Sequence, residues 1–190
     1  NWGGAAFDPA TGYVLVATQD LGLLGWMEAA PDGAAVPYVK RAPRPSSFTV
    51  RIDDATLPCQ KPPWGRLTAV DVATGDIAWQ IPHGEAPDNI QNHAVLEGAD
   101  IGRTGWPGRG GVLVTKTVVV AGESGSYTTE TGDVGAMLRA YDKATGDEVG
   151  AVYMTAPQSG SPMTYRVNDQ QYIVVATSGG GRSGELLAYR

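Results

Sequence analysis

Residues 66–81, RLTAVDVATGDIAWQI, decide how this chain is read. Leu67, Ala69 and Val70 are strand-like, Asp71 opens a turn, and Thr74-Gly75 supplies a hydroxyl acceptor followed by a residue free to take positive φ. A second apolar run from Ile77 to Ile81 follows at hairpin distance. It carries Trp79, a side chain large enough to fill the gap between neighbouring sheets. The stretch is therefore a hairpin with a docking residue.

A relaxed copy returns at residues 138–149, LRAYDKATGDEV, with Ala140, Asp142, Ala144, Thr145, Gly146 and Asp147 in the places of Ala69, Asp71, Ala73, Thr74, Gly75 and Asp76. Gly150 stands where the copy would carry its tryptophan. A partial echo at residues 7–16, FDPATGYVLV, keeps Asp8, Thr11 and Gly12, with the turn internal to one sheet. D-x-x-T-G alone is a common hairpin turn. Its return with the flanking small and apolar positions kept marks a modular array, and all-β modules of this size close as propeller blades. A self-standing β-sandwich is the competing architecture.

Composition agrees. The chain has 190 residues with 26 Gly and 13 Pro, 42% hydrophobic and 18% charged, which suits a turn-rich β protein with a core. The net charge of -6 and the lack of a basic cluster exclude a nucleic-acid binder, and no apolar run is long enough for a transmembrane helix. Cys59 has no second cysteine to pair with and no nearby histidine.

Further along the chain, residues 1–8 and 13–18 read as strands, and Leu21 to Pro63 reads as one long loop rich in Ala, Pro and Gly. Within it, Asp53-Asp54 would point to opposite faces of a strand, a poor acid-base pair and a better solvated turn. His83 and His93, on a second long loop running to Gly111, match no usual metal-ligand spacing and read as polar surface residues. TGWPGRGG then feeds into the strands Val112–Thr115 and Thr117–Ala121. Glycines at the mouth of a strand let backbone approach a ligand closely, and the phosphate-loop order is missing. Strands around VNDQQ, a run at Gly179-Gly180-Gly181 and a final strand ending at Tyr189 complete the pattern.

These blocks resemble the pyrroloquinoline-quinone (PQQ) dependent dehydrogenases, or quinoproteins, which are eight-bladed β-propellers. The resemblance rests on NWGGAAFDPATGYVLV, PCQKPPWGRLTAVDVATGDIAWQIPHGE, GRGGVLVTKTVVVAGE and SPMTYRVNDQQYIVVATSGGG, and the PPWG form is nearer the sugar and polyol branch. It implies an all-β, partial eight-bladed propeller of four-stranded antiparallel blades laced by a tryptophan-docking motif. Residues 1–190 would be the carboxy-terminal part of one quinoprotein propeller domain, truncated at both ends and inactive alone.

The resemblance also implies roles. Asn1 would hydrogen-bond the quinone with Trp2 beside it, and Gly110 and Gly111 would present backbone toward the cofactor. Arg109 would either pair with a PQQ carboxylate or face solvent. The loop containing Gly181 and Arg182 would lie near the cofactor, although some relatives carry a histidine there. No catalytic base or metal ligand is assigned in this chain. The base and the ligands of a divalent cation, usually calcium, are implied to precede Asn1. The expected activity is oxidation of a sugar, polyol or alcohol, with a respiratory-chain quinone or cytochrome as electron acceptor and a periplasmic or periplasm-facing location. A non-catalytic propeller acting as scaffold is the alternative, and such a scaffold has no need of the N-W and R-G-G positions.

Overall fold

The computed structural model describes residues 3–44, 47–52, 55–108 and 110–190. Asp53 and Asp54 lie outside the described residues.

Strands β1 (Ala6–Asp8) and β2 (Tyr13–Gln19) open the chain. The segment read as one long loop instead contains β3 (Trp26–Ala29), β4 (Tyr38–Arg41), β5 (Thr49–Ile52) and β6 (Ala55–Pro58). These form two antiparallel hairpins, β3 with β4 and β5 with β6, within a compact unit of their own spanning Leu21–Lys61. Sequence reading missed them because they are four residues each, with no sustained alternation to mark an inward face. Cys59 is exposed in this unit.

The remaining residues build the larger unit from three antiparallel meanders. Strands β7 (Gly65–Asp71) and β8 (Ile77–Pro82) join β1 and β2 in a four-stranded sheet ordered β1-β2-β7-β8. In the second sheet β9 (Leu113–Val114) pairs β10 (Val118–Gly122), and β11 (Tyr127–Thr128) pairs the first residues of β12 (Val134–Asp142). Strand β12 also pairs β10 and, outward, β13 (Glu148–Met154). The third sheet is β14 (Met163–Val167), β15 (Gln170–Gly179) and β16 (Arg182–Tyr189). A helix, α1 (Asp88–Gln91), and a short 3-10 turn punctuate the loop after β8. Among the described residues no helix is long and apolar enough to cross a membrane.

The sheets stack face to face because the middle strands are apolar on both sides. Adjacent side chains of a strand point to opposite faces. Accordingly Val119 packs with Leu15, Leu67, Ala69, Trp79 and Tyr141 between the first and second sheets. Val120 packs with Ala136, Leu138, Met154 and Val175 between the second and third. That is the packing expected of successive blades, and among the described residues no sheet closes on itself as a barrel.

The three D-x-x-T-G segments form the same turn. In each the aspartate side chain accepts a backbone N–H two residues on: Ala10 to Asp8 at 3.2 Å, Ala73 to Asp71 at 2.8 Å and Ala144 to Asp142 at 2.8 Å. The glycine N–H closes onto the aspartate carbonyl at 2.9, 2.8 and 2.8 Å respectively. The hairpins after Asp71 and Asp142 even share a bulge, with the register slipping after Ala69↔Trp79 and after Ala140↔Gly150. Gly150 leaves open space where a side chain would begin, so the second hairpin lacks its docking residue.

Trp79 joins the first two sheets. Its Nε1–H donates to the Lys143 carbonyl at 3.1 Å. The Lys143 ammonium returns to Asp8 at 2.8 Å and the Val72 N–H donates to the Gly12 carbonyl at 3.1 Å, so the three turns meet at one end of the stack. Since every pairing is antiparallel, the longer loops gather at the other end.

Candidate functional site

At the loop end, Gly3, Gly110, Gly111 and Gly160 with Ser124, Gln158, Ser159 and Ser161 line a hollow of about 310 Å³. The wall is thin by necessity. A Cβ on Gly111 would collide with the Ser161 hydroxyl, and one on Gly110 would stand 2.9 Å from Gln158 Nε2. The close approach expected of these glycines is thus made in part to the chain itself.

Gln158 is the brace of this wall. It is buried, its Oε1 accepts from the Gly122 N–H at 2.6 Å, and its Nε2 donates to the Gly111 carbonyl at 2.8 Å. Its own N–H donates to the Glu123 carbonyl at 2.8 Å. One side chain therefore fixes the mouths of β9 and β10 against the segment leading to β14. Sequence reading did not single it out, since a lone glutamine after a proline carries no pattern.

Trp106 anchors the loop that brings Gly110 to this place. Its N–H donates to the His83 carbonyl at 2.9 Å, and the Trp64 N–H donates to Thr104 at 2.8 Å. The indole lies directly against Gly125, where any side chain would overlap it.

His83 and His93 are both buried, which corrects their reading as surface residues. The imidazole of His83 lies 2.9 Å from the Tyr141 hydroxyl through Nδ1 and 3.2 Å from the Gly122 carbonyl through Nε2. Burial drives its pKa down to about 4, so it is neutral near pH 7 and serves as an uncharged bridge. An Nε2–H tautomer donates to the carbonyl and leaves Nδ1 to accept from the tyrosine. Among the described residues no group of three His, Cys, Asp or Glu could hold a metal ion.

Beside the His83 bridge lies a charged cluster that composition gave no hint of. The Arg139 guanidinium is 5% exposed and donates to Glu123 at 2.8 Å, Glu148 at 3.0 Å, Glu85 at 2.7 Å and the Tyr127 hydroxyl at 3.2 Å. Arg103 donates to Glu85 at 3.0 Å and to Glu148 at 2.7 Å. Burial opposes charge on Arg139, but Glu123 and Glu148 outweigh it and raise its pKa. Burial also raises Glu123, although Arg139 pulls the other way. The signal that could have located Arg139 is its parity: it shares a face of β12 with Tyr141, inside a strand flanked by sheets on both sides.

Of the residues expected from sequence, Asn1, Trp2 and Arg109 lie outside the described residues. Gly110 and Gly111 line the hollow. Gly181 and Arg182 do not line it; they stand exposed at the β15–β16 turn. The adjacent Gly180 approaches Ser126, with a built Cβ 3.0 Å from its hydroxyl.

Comparison with known proteins bears on what this arrangement serves. A family model described as "PQQ: Glucose/ethanol/alcohol dehydrogenase, beta-propeller domain" matches residues 1–173. A probable quinate dehydrogenase (quinone) of Xanthomonas campestris pv. juglandis is 32% identical over 100% of this chain and 25% of its own length. A quinoprotein glucose dehydrogenase A of Acinetobacter calcoaceticus is 30% identical over 69% of this chain and 15% of its own length. The chain thus spans at most about a quarter of the length of these relatives. In fold it is similar to the quinohemoprotein alcohol dehydrogenase of Comamonas testosteroni, with a TM-score of 0.58 and 24% identity over 93% of this chain and 22% of that one.

Proposed function

The chain belongs to the PQQ-dependent glucose/ethanol/alcohol dehydrogenase β-propeller family, and from that premise we propose that its blades form one wall of a PQQ site. In the full-length protein that site oxidises a hydroxyl of a sugar, polyol or alcohol. The observation that carries this reading is the glycine-walled hollow at the loop end, built around Gly110 and Gly111.

The hollow suits the group the family implies. PQQ is planar and bears three carboxylates, and the described lining residues include no carboxylate to repel them. They are four glycines, Gly3, Gly110, Gly111 and Gly160, three serines, Ser124, Ser159 and Ser161, and the amide of Gln158. N–H and O–H donors of this kind orient carboxylates without burying a competing charge. PQQ, when bound, supplies the hydride acceptor. This chain's part is to hold and orient that group: Gln158 keeps the mouths of β9 and β10 in register, and the neutral His83 supports Gly122 without adding charge. The base and the ligands of the divalent cation are proposed to lie on other blades. A respiratory-chain electron acceptor and a periplasm-facing location follow from the same reading.

The test is a titration of the purified full-length protein with PQQ and Ca²⁺, followed by dye reduction with quinate, glucose, glycerol and ethanol. Saturable PQQ binding with Ca²⁺-dependent dye reduction on at least one of them is the expected result. A folded protein that takes up no PQQ would overturn the proposal.

A further inference from the structure

We infer that Arg139 and Arg103 act as a clamp at the start of the segment that leads into the cofactor-facing wall, which makes them positioning residues for the hollow. This inference rests on the reading of that hollow as part of a PQQ site.

The geometry is that of a loop gripped at both feet. Glu85 lies just after β8 and Arg103 just before the Trp106 anchor, and the two meet at 3.0 Å, closing the loop between them. Each foot is then tied to the second sheet. Arg139 on β12 holds Glu85 at 2.7 Å, and Glu148 on β13 holds Arg103 at 2.7 Å. Arg139 also contacts Glu148 at 3.0 Å, so two arginines and two glutamates form a closed ring. Glu123 and the Tyr127 hydroxyl, both from the segment after β10, take the guanidinium's other donors. Past the clamp, the chain reaches Gly108 after five residues and then the hollow.

This ion network, buried at Arg139 and Glu123 and partly exposed at Glu85, Arg103 and Glu148, gives little net stability, because desolvation at the one end and solvent screening at the other offset the attraction. What such a network does provide is a single arrangement, since a shift of the loop takes Glu85 away from the buried guanidinium of Arg139. That property matters most next to a wall with no slack, and Gly110 and Gly111 have no room for even a methyl group. A plain interblade strut would instead secure the whole interface, including the distant Trp79–Lys143 contact.

The experiment separates these roles by site-resolved amide exchange and PQQ titration of the full-length protein. Arg103→Gln is the main variant, because Arg103 is partly exposed and its loss strands less charge; Arg139→Lys, which keeps the charge but loses the fork, is the second. The clamp requires amide exchange across residues 108–111 to rise about tenfold, with exchange at the turns Asp8–Gly12 and Asp71–Asp76, which hold no member of the clamp, unchanged. PQQ affinity should fall by about tenfold in both variants. Unchanged exchange at 108–111, or an equal rise at both ends of the stack, would overturn the clamp. If Arg139→Lys fails to fold, Arg103→Gln decides alone. If the unmodified protein binds no PQQ, the functional reading fails while the exchange pattern still decides the clamp.

Discussion

The indole of Trp79 lies on the backbone of Gly146, close enough that a methyl group there would stand 2.7 Å from Cε3. These residues come from equivalent hairpins in successive sheets, so the docking residue of one motif is received by the turn of the next. The same ring donates to the Lys143 carbonyl, which fixes its angle as well as its depth. A side chain that fills space and satisfies its polar atom in one contact explains how two separate meanders hold a fixed relation.

Replacing Trp79 with alanine in the full-length protein is expected to cost roughly 3 to 5 kcal/mol through the cavity left between sheets. The measurement is urea-induced unfolding followed by circular dichroism. A midpoint within error of the unmodified protein would show that the indole is not a docking element.

Gly146→Ala and Gly75→Ala form a matched pair. Both glycines have the same left-handed backbone, with φ of +81° and +80°, so each substitution carries a similar strain of about 1 kcal/mol. Gly75 has open space at Cβ, whereas Gly146 has the indole. The alanine at 146 should therefore be the more destabilising, and the difference should shrink when Trp79 is already alanine. Equal costs in the unmodified background would contradict the contact.

Two buried groups set the acid limb of stability, one after the other. His83 has its pKa lowered from 6.5 to about 4 by burial, so between those values the unfolded chain binds the extra proton. Stability is then lost as pH falls from 6.5 toward 4, by up to about 3 kcal/mol. Asp8, lowered from 3.8 to about 2 chiefly by its hydrogen bond from Lys143, contributes above pH 3.8 and loses that contribution as pH falls toward 2. Unfolding midpoints measured from pH 8 to pH 2 should decline in two stages, and His83→Gln should flatten the upper one. A flat profile between pH 7 and 5 in the unmodified protein would refute the role given to His83.

Gln158→Leu keeps the bulk of the side chain while leaving the Gly122 N–H and the Gly111 carbonyl without their partner. Each stranded group is worth about 1–3 kcal/mol when buried. The expected result is a loss of this order in stability together with weaker PQQ uptake. Intact PQQ affinity in a protein destabilised to that extent would separate Gln158 from the site.

What the sequence made legible was whatever repeats locally. The D-x-x-T-G turn is written in consecutive residues, its hydrogen bonds are short-range, and Trp79 announces itself by size. Stacked blades follow from Val119 and Val120 lying in an apolar run, because a strand buried on both faces needs a sheet on each side. The charged cluster was not legible, since Glu85, Arg103, Glu123, Arg139 and Glu148 come from four segments and each looks like a solvated residue in its own surroundings. His83 was misread for the same reason: nothing near it in sequence shows that Tyr141 and the backbone of Gly122 enclose it. Gly110 and Gly111, legible as consecutive glycines at a strand mouth, line the hollow, and Gly181 is not among its lining residues.

The central claim is that the loop end of these blades, and not the turn end, faces the cofactor. Hydrogen exchange of the full-length protein with and without PQQ and Ca²⁺ tests it most directly. Protection confined to residues 108–111 and 158–161, with Asp71–Asp76 and Asp142–Asp147 unaffected, is the result expected. Protection at those turns, or none in either place while PQQ is bound, would contradict it.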